Sequence, residues 1–194
     1  FTWVAARMLH SEANYSTEHT YRVLDQSLDV VIPTLKTLEK KFPEDPVYRL
    51  YLGCAIGLRA RVSLGLKQWI STLINAYKGL RLILDVAENN PELVDAQLPI
   101  GIVEYYASLS PGLIRWGVRL MGMEVSREAA LFKIEKAAAQ GEYSATEAQK
   151  IFVYISLWIE GNPKPALMYS HNLKENFPKN YFFGILFLEC LIQA

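Results

Sequence analysis

The feature that most constrains the fold of this chain is a phrase that occurs twice, near residues 40–48 and 174–182. Both copies contain a lysine, then a Phe-Pro pair and then a tyrosine. In each copy the proline stops one helical pattern, and another pattern begins within a few residues. The segment Asn89–Leu93 separates two helical patterns in the same way. Units of roughly 45 residues are typical of stacked helix pairs, so the spacing predicts a helical repeat.

Apolar residues recur at alternating spacings of four and three, which is typical of one stripe along an α-helix. Two such stripes are Leu24, Leu28, Val31, Leu35, Leu38 and Phe42, and Trp69, Leu73, Ala76, Leu80, Ile83 and Ala87. No segment alternates with a period of two for long enough to predict a strand. Helices are predicted near 2–13, 18–41, 46–62, 66–88, 97–108, 111–121, 126–139, 145–160, 164–176 and 180–193.

Capping residues indicate where several of these helices begin. Asp45-Pro46, Asn90-Pro91 and Ser110-Pro111 each place a capping side chain before a proline, which is favoured in the first helical turn. The segment Ser144–Glu147 has the pattern of a capping box. We therefore expect helices to start at these four places.

The composition excludes disorder and disfavours some partners. Of the 194 residues, 51% are hydrophobic and 21% are charged, which suits a folded chain. The 20 basic residues balance the 20 acidic ones, so the positive charge of a nucleic-acid binder is missing. No apolar run approaches the ~20 residues of a membrane-spanning helix. We expect one domain over 1–194, a fragment of a longer protein. A cytoplasmic location is slightly favoured, with export after removal of a targeting segment left open.

No sequence pattern predicts catalysis, a cofactor or a metal site. His10, His19 and His171 have no Cys, Asp or second His at ligand spacing on the same predicted helical face. Nucleophile elbows, phosphate-binding loops and paired-cysteine motifs are also missing from the sequence. Cys54 and Cys190 fall at equivalent places in two different units, so we expect them to stay unpaired. The chain is therefore predicted not to be an enzyme.

Two polar groups nevertheless deserve a functional interpretation beside the structural one. Asp25 and Asp29 lie one helical turn apart, as paired carboxylates for acid–base chemistry would, but a solvated charged edge is the favoured interpretation. The segment Glu104–Tyr106 falls in the least regular part of the repeat, where function is easily concealed. For its tyrosines we favour packing with a hydrogen-bonded hydroxyl.

A third candidate combines two arginines with an aromatic ring. Arg115 and Arg119 are one turn apart and flank Trp116. Guanidinium groups beside an aromatic platform are suited to clamping an anion. The alternative is that the long side chains cover apolar surface while their charges stay in water. The second interpretation is the favoured one.

The segment 161–178 connects the repeat to a family. Gly161 ends one helical pattern, Ala166 lies near the start of the next, and Pro178 follows twelve residues later. This segment resembles the second half of a tetratricopeptide repeat, in which a small residue lets the paired helices pack closely and a proline ends the second helix.

The resemblance covers 145–194, is partial over 18–62 and is weak in between. Leu173 stands where the family usually has alanine, and Tyr154 stands where its first helix usually has a small residue. These departures imply looser or rotated packing. The resemblance applies to architecture far more than to one function.

Laying 145–194 on the family pattern also implies a candidate binding groove. The first-helix positions that usually line the concave face fall at Ile151, Ile155 and Trp158. Because these residues are apolar, the resemblance implies contact with a hydrophobic or amphipathic segment rather than with a terminal carboxylate. The alternative is that all three are buried in the repeat stack.

Together these observations predict an all-α, right-handed α–α superhelix, similar to tetratricopeptide-repeat solenoids, of about four helix pairs plus a terminal helix. The predicted function is a non-catalytic scaffold that binds a peptide or helix of a protein partner on a concave surface. The alternative is a carrier of an apolar small molecule or acyl chain. The helix near 180–193 is apolar nearly all round, so we expect it to be covered by another repeat, a partner or a second copy of the chain.

Overall fold

A computed structural model describes residues 18–194, so His10 and the helix predicted near 2–13 lie outside the described residues. The described part contains nine α-helices and no strand, which confirms the predicted all-α fold. The helices are α1 (Glu18–Lys41), α2 (Pro46–Gly65), α3 (Trp69–Asn89), α4 (Gln97–Leu109), α5 (Gly112–Leu120), α6 (Arg127–Gln140), α7 (Ala145–Tyr154), α8 (Leu167–Asn176) and α9 (Tyr181–Gln193). Short 3₁₀ turns cover Val94–Ala96 and Lys164–Ala166, and α7 continues into a π-helical turn over Ile155–Ile159.

The helices form two compact units that meet in sequence at Leu93 and Val94. In the first unit α2 packs against both α1 and α3. In the second unit the packing runs from α4 to α6, from α6 to α7, from α7 to α8 and from α8 to α9. The single domain predicted over 1–194 stays a prediction, and each unit is described by itself.

The core of the first unit follows the first apolar stripe with one change. Leu24, Leu28 and Leu35 are buried as the stripe predicts. Ile32, however, is buried, whereas Val31 is only half-buried beside it. The two residues are neighbours on the helix, and the larger side chain takes the position that faces α2.

The second stripe lies on a helix, α3, as predicted, but only part of it is buried. Leu80 and Ile83 are buried, but Trp69, Leu73 and Ala76 are exposed. Four- and three-residue spacing therefore marks a helical face correctly here without showing that the whole face is covered. The exposed half leaves apolar side chains in contact with solvent.

Helices α2 and α3 cross closely at Gly79. A Cβ atom added at Gly79 would lie 2.7 Å from the carbonyl oxygen of Gly53 and 2.8 Å from the amide nitrogen of Gly57. No side chain fits between α2 and α3 at this point, so their backbones approach directly. The contact places Gly79 and Ile83 against α2, whereas the stripe residues in the first half of α3 stay exposed.

The predicted helix starts are confirmed at two of the three Asx/Ser-Pro pairs, Asp45-Pro46 and Ser110-Pro111, but the predicted side-chain cap forms only at the first. The side chain of Asp45 accepts a hydrogen bond from the amide of Val47 at 3.0 Å and caps α2. Asn90 instead ends α3, and a turn follows it. Ser110 ends α4, where its hydroxyl donates to the carbonyl of Tyr106 at 2.7 Å. Asn90 and Ser110 thus complete the preceding helices, and α5 begins at Gly112, directly after Pro111, without a side-chain cap.

The carboxylate of Asp95 holds the turn before α7 by hydrogen bonds. Its buried carboxylate accepts hydrogen bonds from the backbone amides of Glu142 at 3.1 Å, Tyr143 at 2.8 Å and Ser144 at 2.6 Å. The side chain of Ser144 makes no capping hydrogen bond to α7, so the predicted capping box is wrong. A carboxylate from a distant part of the sequence has taken over the turn before α7.

Candidate functional site

The three predicted groove residues do not share one exposed face. Ile155 is fully buried and Ile151 is half-buried against the same core, whereas Trp158 is 42% exposed. The expectation that Ile155 lines a groove is therefore wrong, because its side chain belongs to the core of the second unit. Trp158 alone of the three presents a large surface to solvent.

The π-helical turn after α7 accounts for this separation. The amide of Glu160 donates to the carbonyl of Ile155, five residues back, at 2.9 Å. The amide of Asn162 donates to the carbonyl of Ser156, also at 2.9 Å. A π turn accommodates an extra residue, so side chains beyond it rotate relative to the α-helical pattern. Such turns are frequent at functional sites.

Trp158 connects α7 to the last helix. Its indole Nε1 donates a hydrogen bond to Oε2 of Glu189 on α9 at 2.9 Å. The ring of Tyr154 meets the indole edge-to-face, with 5.0 Å between ring centroids, and is itself exposed. The two rings therefore lie at the border of α9, held by an aromatic contact and a hydrogen bond.

The last helix buries one face and exposes the opposite one. At 3.6 residues per turn, side chains spaced four, three and four apart share a face. The buried face consists of Phe183, Leu186 and Cys190, and the opposite, exposed face consists of Tyr181, Ile185, Leu188 and Ile192. We refer to this exposed face with Tyr154 and Trp158 as the C-terminal apolar surface.

Polar groups border the C-terminal apolar surface on two sides, where Phe182 and Leu191 are also exposed. Glu189 lies on one side, four residues after Ile185 and three before Ile192. On the other side, the ring of Phe187 contacts the imidazole of His171 at 5.2 Å and the ammonium of Lys174 at 5.4 Å, measured to the ring centroid. An apolar centre with a polar rim is the usual composition of a protein interface.

The arginine pair with Trp116 lies on α5. No residue of α5 is buried, and Arg115, Trp116 and Arg119 are all exposed. The two arginines share one face of the helix, and Trp116 lies between that face and the apolar one. These three residues are together, as predicted, and they are accessible.

Asp25 and Asp29 have a structural role. Nη2 of Arg59, on α2, lies 2.6 Å from Oδ1 of Asp29. Nε of the same arginine lies 3.4 Å from Oδ1 of Asp25. The two carboxylates thus bind one cation that joins α1 to α2.

Glu104 and Tyr105 belong to buried polar networks that the sequence did not reveal. Glu104 pairs with Lys133, and the hydroxyl of Tyr105 donates to Glu160. Nε of Arg127 lies 3.0 Å from the same Glu160 carboxylate. Burial, followed by the hydrogen bond and charge of Glu160, raises the pKa of Tyr105 far above its usual value. Tyr105 is therefore packed with a bonded hydroxyl, the interpretation that the sequence favoured.

The remaining candidates are placed as follows. Within the described residues, Cys54 and Cys190 form no disulfide, as expected. Nε2 of His171 lies 3.9 Å from Oε1 of Glu175, and both side chains are at the surface. Across residues 18–194, no three His, Cys, Asp or Glu side chains are grouped so as to hold a metal ion. Over the same residues, no helix has both the length and the apolar character needed to cross a bilayer.

The geometry thus separates two kinds of residue. Glu104, Tyr105 and Asp95 are buried and satisfied within the second unit. The C-terminal apolar surface and α5 present large side chains to solvent.

Comparison of the chain with protein-family models, with curated proteins and with solved structures gives no match.

Proposed function

We propose that this chain is a non-catalytic interaction module built from tetratricopeptide-like helix pairs. In this proposal the C-terminal apolar surface binds an amphipathic helix supplied by a protein partner. The observation that carries the proposal is the four-residue apolar stripe on α9, which lies directly opposite the buried face of the same helix.

The helix pairs support the family resemblance. Ala166 is fully buried where α8 begins, as expected of the small residue that permits close helix packing. Gly161 has a φ of 62°, a left-handed conformation suited to glycine after a helical segment. Pro178 follows the end of α8 at Asn176. These features agree with a tetratricopeptide-like superhelix, which is part of the proposal.

The energetics favour a helical partner on the stripe. Ile185 and Leu188 are each about half exposed, so covering either one contributes about 1 kcal/mol, half of the value for a fully buried side chain. Tyr181 and Ile192 are more than 80% exposed and offer more. The stripe runs along a helix about 20 Å long, which matches three to four turns of a partner helix.

The alternative function, carriage of an apolar small molecule, needs an enclosed cavity. The concavity beside the first turn of α9, lined by residues 177–182, is open to solvent, as is the one near Tyr21 and Gly65 in the first unit. Small-molecule sites usually bury most of the ligand surface. The geometry therefore favours a partner that covers a face over a ligand that fills a cavity.

The experiment compares three versions of the chain as bait in a native lysate: wild type, Ile185→Asp and the control Phe132→Asp. Phe132 is an exposed side chain of α6 in the same unit, so its substitution introduces the same charge away from the C-terminal apolar surface. We expect a protein captured by wild type and by Phe132→Asp to be lost with Ile185→Asp, with circular dichroism unchanged in all three.

Two results would contradict the proposal. Capture of the same proteins by Ile185→Asp as by wild type would place the interface elsewhere. Solvent extraction and mass spectrometry of the purified wild-type protein would identify a retained lipid in stoichiometric amount if the carrier function were correct.

A further inference from the structure

Helix α5 differs from every other described helix in what it contributes to the fold. None of its side chains is buried. Its largest apolar side chains are strongly exposed: 79% for Leu113, 60% for Trp116 and 66% for Leu120. At 3.6 residues per turn these three point within a narrow arc, and Ile114 continues the apolar face on its far side. The helix is thus apolar along one face without packing that face into its own unit.

The opposite face of α5 is positively charged. Arg115 and Arg119 both project from it and are exposed. Residues 112–120 contain no aspartate or glutamate, so this helix carries two positive charges in a chain that is neutral overall. Its charge and its apolar face together define a short basic amphipathic helix.

We propose that α5 binds the surface of an anionic lipid bilayer, lying in the plane of the interface. Leu113 and Leu120 enter the boundary between headgroups and acyl chains. Trp116 lies between the apolar and basic faces of α5, and indole rings favour the corresponding depth in a membrane. The arginines bind lipid phosphates, which accept two parallel hydrogen bonds from a guanidinium group.

The arrangement of charge favours a bilayer over a protein groove. A groove that covered the apolar face would leave Arg115 and Arg119 pointing away from it, so the two charges would add nothing to binding. In a bilayer the headgroups surround an embedded helix, and long arginine side chains extend along it to reach the phosphates. A lipid surface therefore uses both faces of α5, whereas a groove uses one.

The test is sedimentation of the full chain with vesicles of phosphatidylcholine, with and without one third phosphatidylglycerol, at about 0.1 M salt, where charges act over about 10 Å. We expect wild type to sediment with the anionic vesicles. Arg115→Gln combined with Arg119→Gln should weaken partitioning about thirtyfold, at about fivefold for each charge. Leu113→Ser combined with Leu120→Ser should weaken it about tenfold or more, since two apolar side chains no longer enter the bilayer.

Helix α3 provides the matched control, because it also exposes an apolar side chain with basic residues nearby. Leu73→Ser removes that side chain, and Lys78→Gln combined with Arg81→Gln removes two exposed charges. We expect both α3 variants to bind vesicles as wild type does. All of these side chains are exposed, so circular dichroism and thermal unfolding should be unchanged throughout.

Tryptophan fluorescence gives a second readout. With Trp3, Trp69 and Trp158 replaced by phenylalanine, the emission of Trp116 should shift to shorter wavelength on addition of anionic vesicles. The proposal is overturned if wild type does not bind these vesicles, if the α5 variants bind as well as wild type, or if the α3 variants lose binding equally. Self-association that is lost with Leu113→Ser, in a protein that ignores vesicles, would also overturn it and identify a protein contact.

Discussion

Replacing Asp95 with asparagine is expected to destabilise the second unit by about 2–3 kcal/mol. Oδ1 of Asp95 accepts from the amides of Tyr143 and Ser144, and Oδ2 accepts from that of Glu142. An asparagine oxygen in place of Oδ1 keeps two of these bonds but removes their charge, which costs about 0.5 kcal/mol each. Its NH₂ group then faces the amide of Glu142, donor against donor, and the third bond is lost.

The assay is thermal unfolding followed by circular dichroism at neutral pH. For a unit of about 100 residues, a loss of 2–3 kcal/mol lowers the midpoint by roughly 10–20 °C. The control is Glu142→Gln, an exposed side chain in the same turn, which removes a charge without removing a backbone hydrogen bond. Equal midpoints for Asp95→Asn and Glu142→Gln would refute the argument that the carboxylate holds this turn.

The pH dependence provides an independent check. Burial by itself raises the pKa of Asp95, but the Ser144 hydroxyl and the three backbone amides outweigh it, so the pKa is lowered overall. A group with a lowered pKa contributes its stability above the pKa of the unfolded chain, about 3.9, and loses it as the pH falls through the folded value. The difference between wild type and Asp95→Asn should therefore be constant from about pH 5 to 8 and shrink below about pH 4.

Three further predictions concern packing and association. Ile155→Asp should leave the second unit largely unfolded by circular dichroism, because a carboxylate replaces a fully buried side chain at a cost of several kcal/mol. A folded variant would show that Ile155 is not part of the core. Gly79→Ala should lower the free energy of unfolding by about 1–3 kcal/mol in urea titrations, since its Cβ would lie within 3 Å of backbone atoms of α2. Gly57→Ala, with open space around the new methyl group, should instead raise it by up to about 1 kcal/mol. Sedimentation velocity at tens of micromolar should detect self-association of wild type that Leu188→Asp abolishes; a strictly monomeric wild type would contradict that expectation.

The helices were predictable because their signals are local. Prolines after Phe42 and Phe177 end helical patterns, and Asp45 caps α2 by accepting a hydrogen bond from the amide of Val47, two residues later. Each of these effects acts within a few residues, so a sequence read without a structure contains them. The exposure of Trp69, Leu73 and Ala76 was not predictable, because burial depends on contacts between helices, such as that of Gly79 with Gly53, and not on spacing within one helix. Apolar periodicity defines a face and leaves open which part of it a neighbour covers.

The candidate site was partly predictable for the same physical reason. Ile155 is buried and Trp158 is exposed, although their spacing would place both on one face of an α-helix, because the π turn that begins at Ile155 rotates the side chains beyond it. A π turn has no strong sequence signature, so a register carried over from a family loses its meaning beyond it. The apolar character of α9, by contrast, was visible in the sequence, and its exposed face was not. Only the packing of Leu186 and Cys190 into the core shows that Ile185 and Leu188 point the other way. An interface built on helix faces is therefore identified by what the core leaves uncovered, which requires the core to be known first.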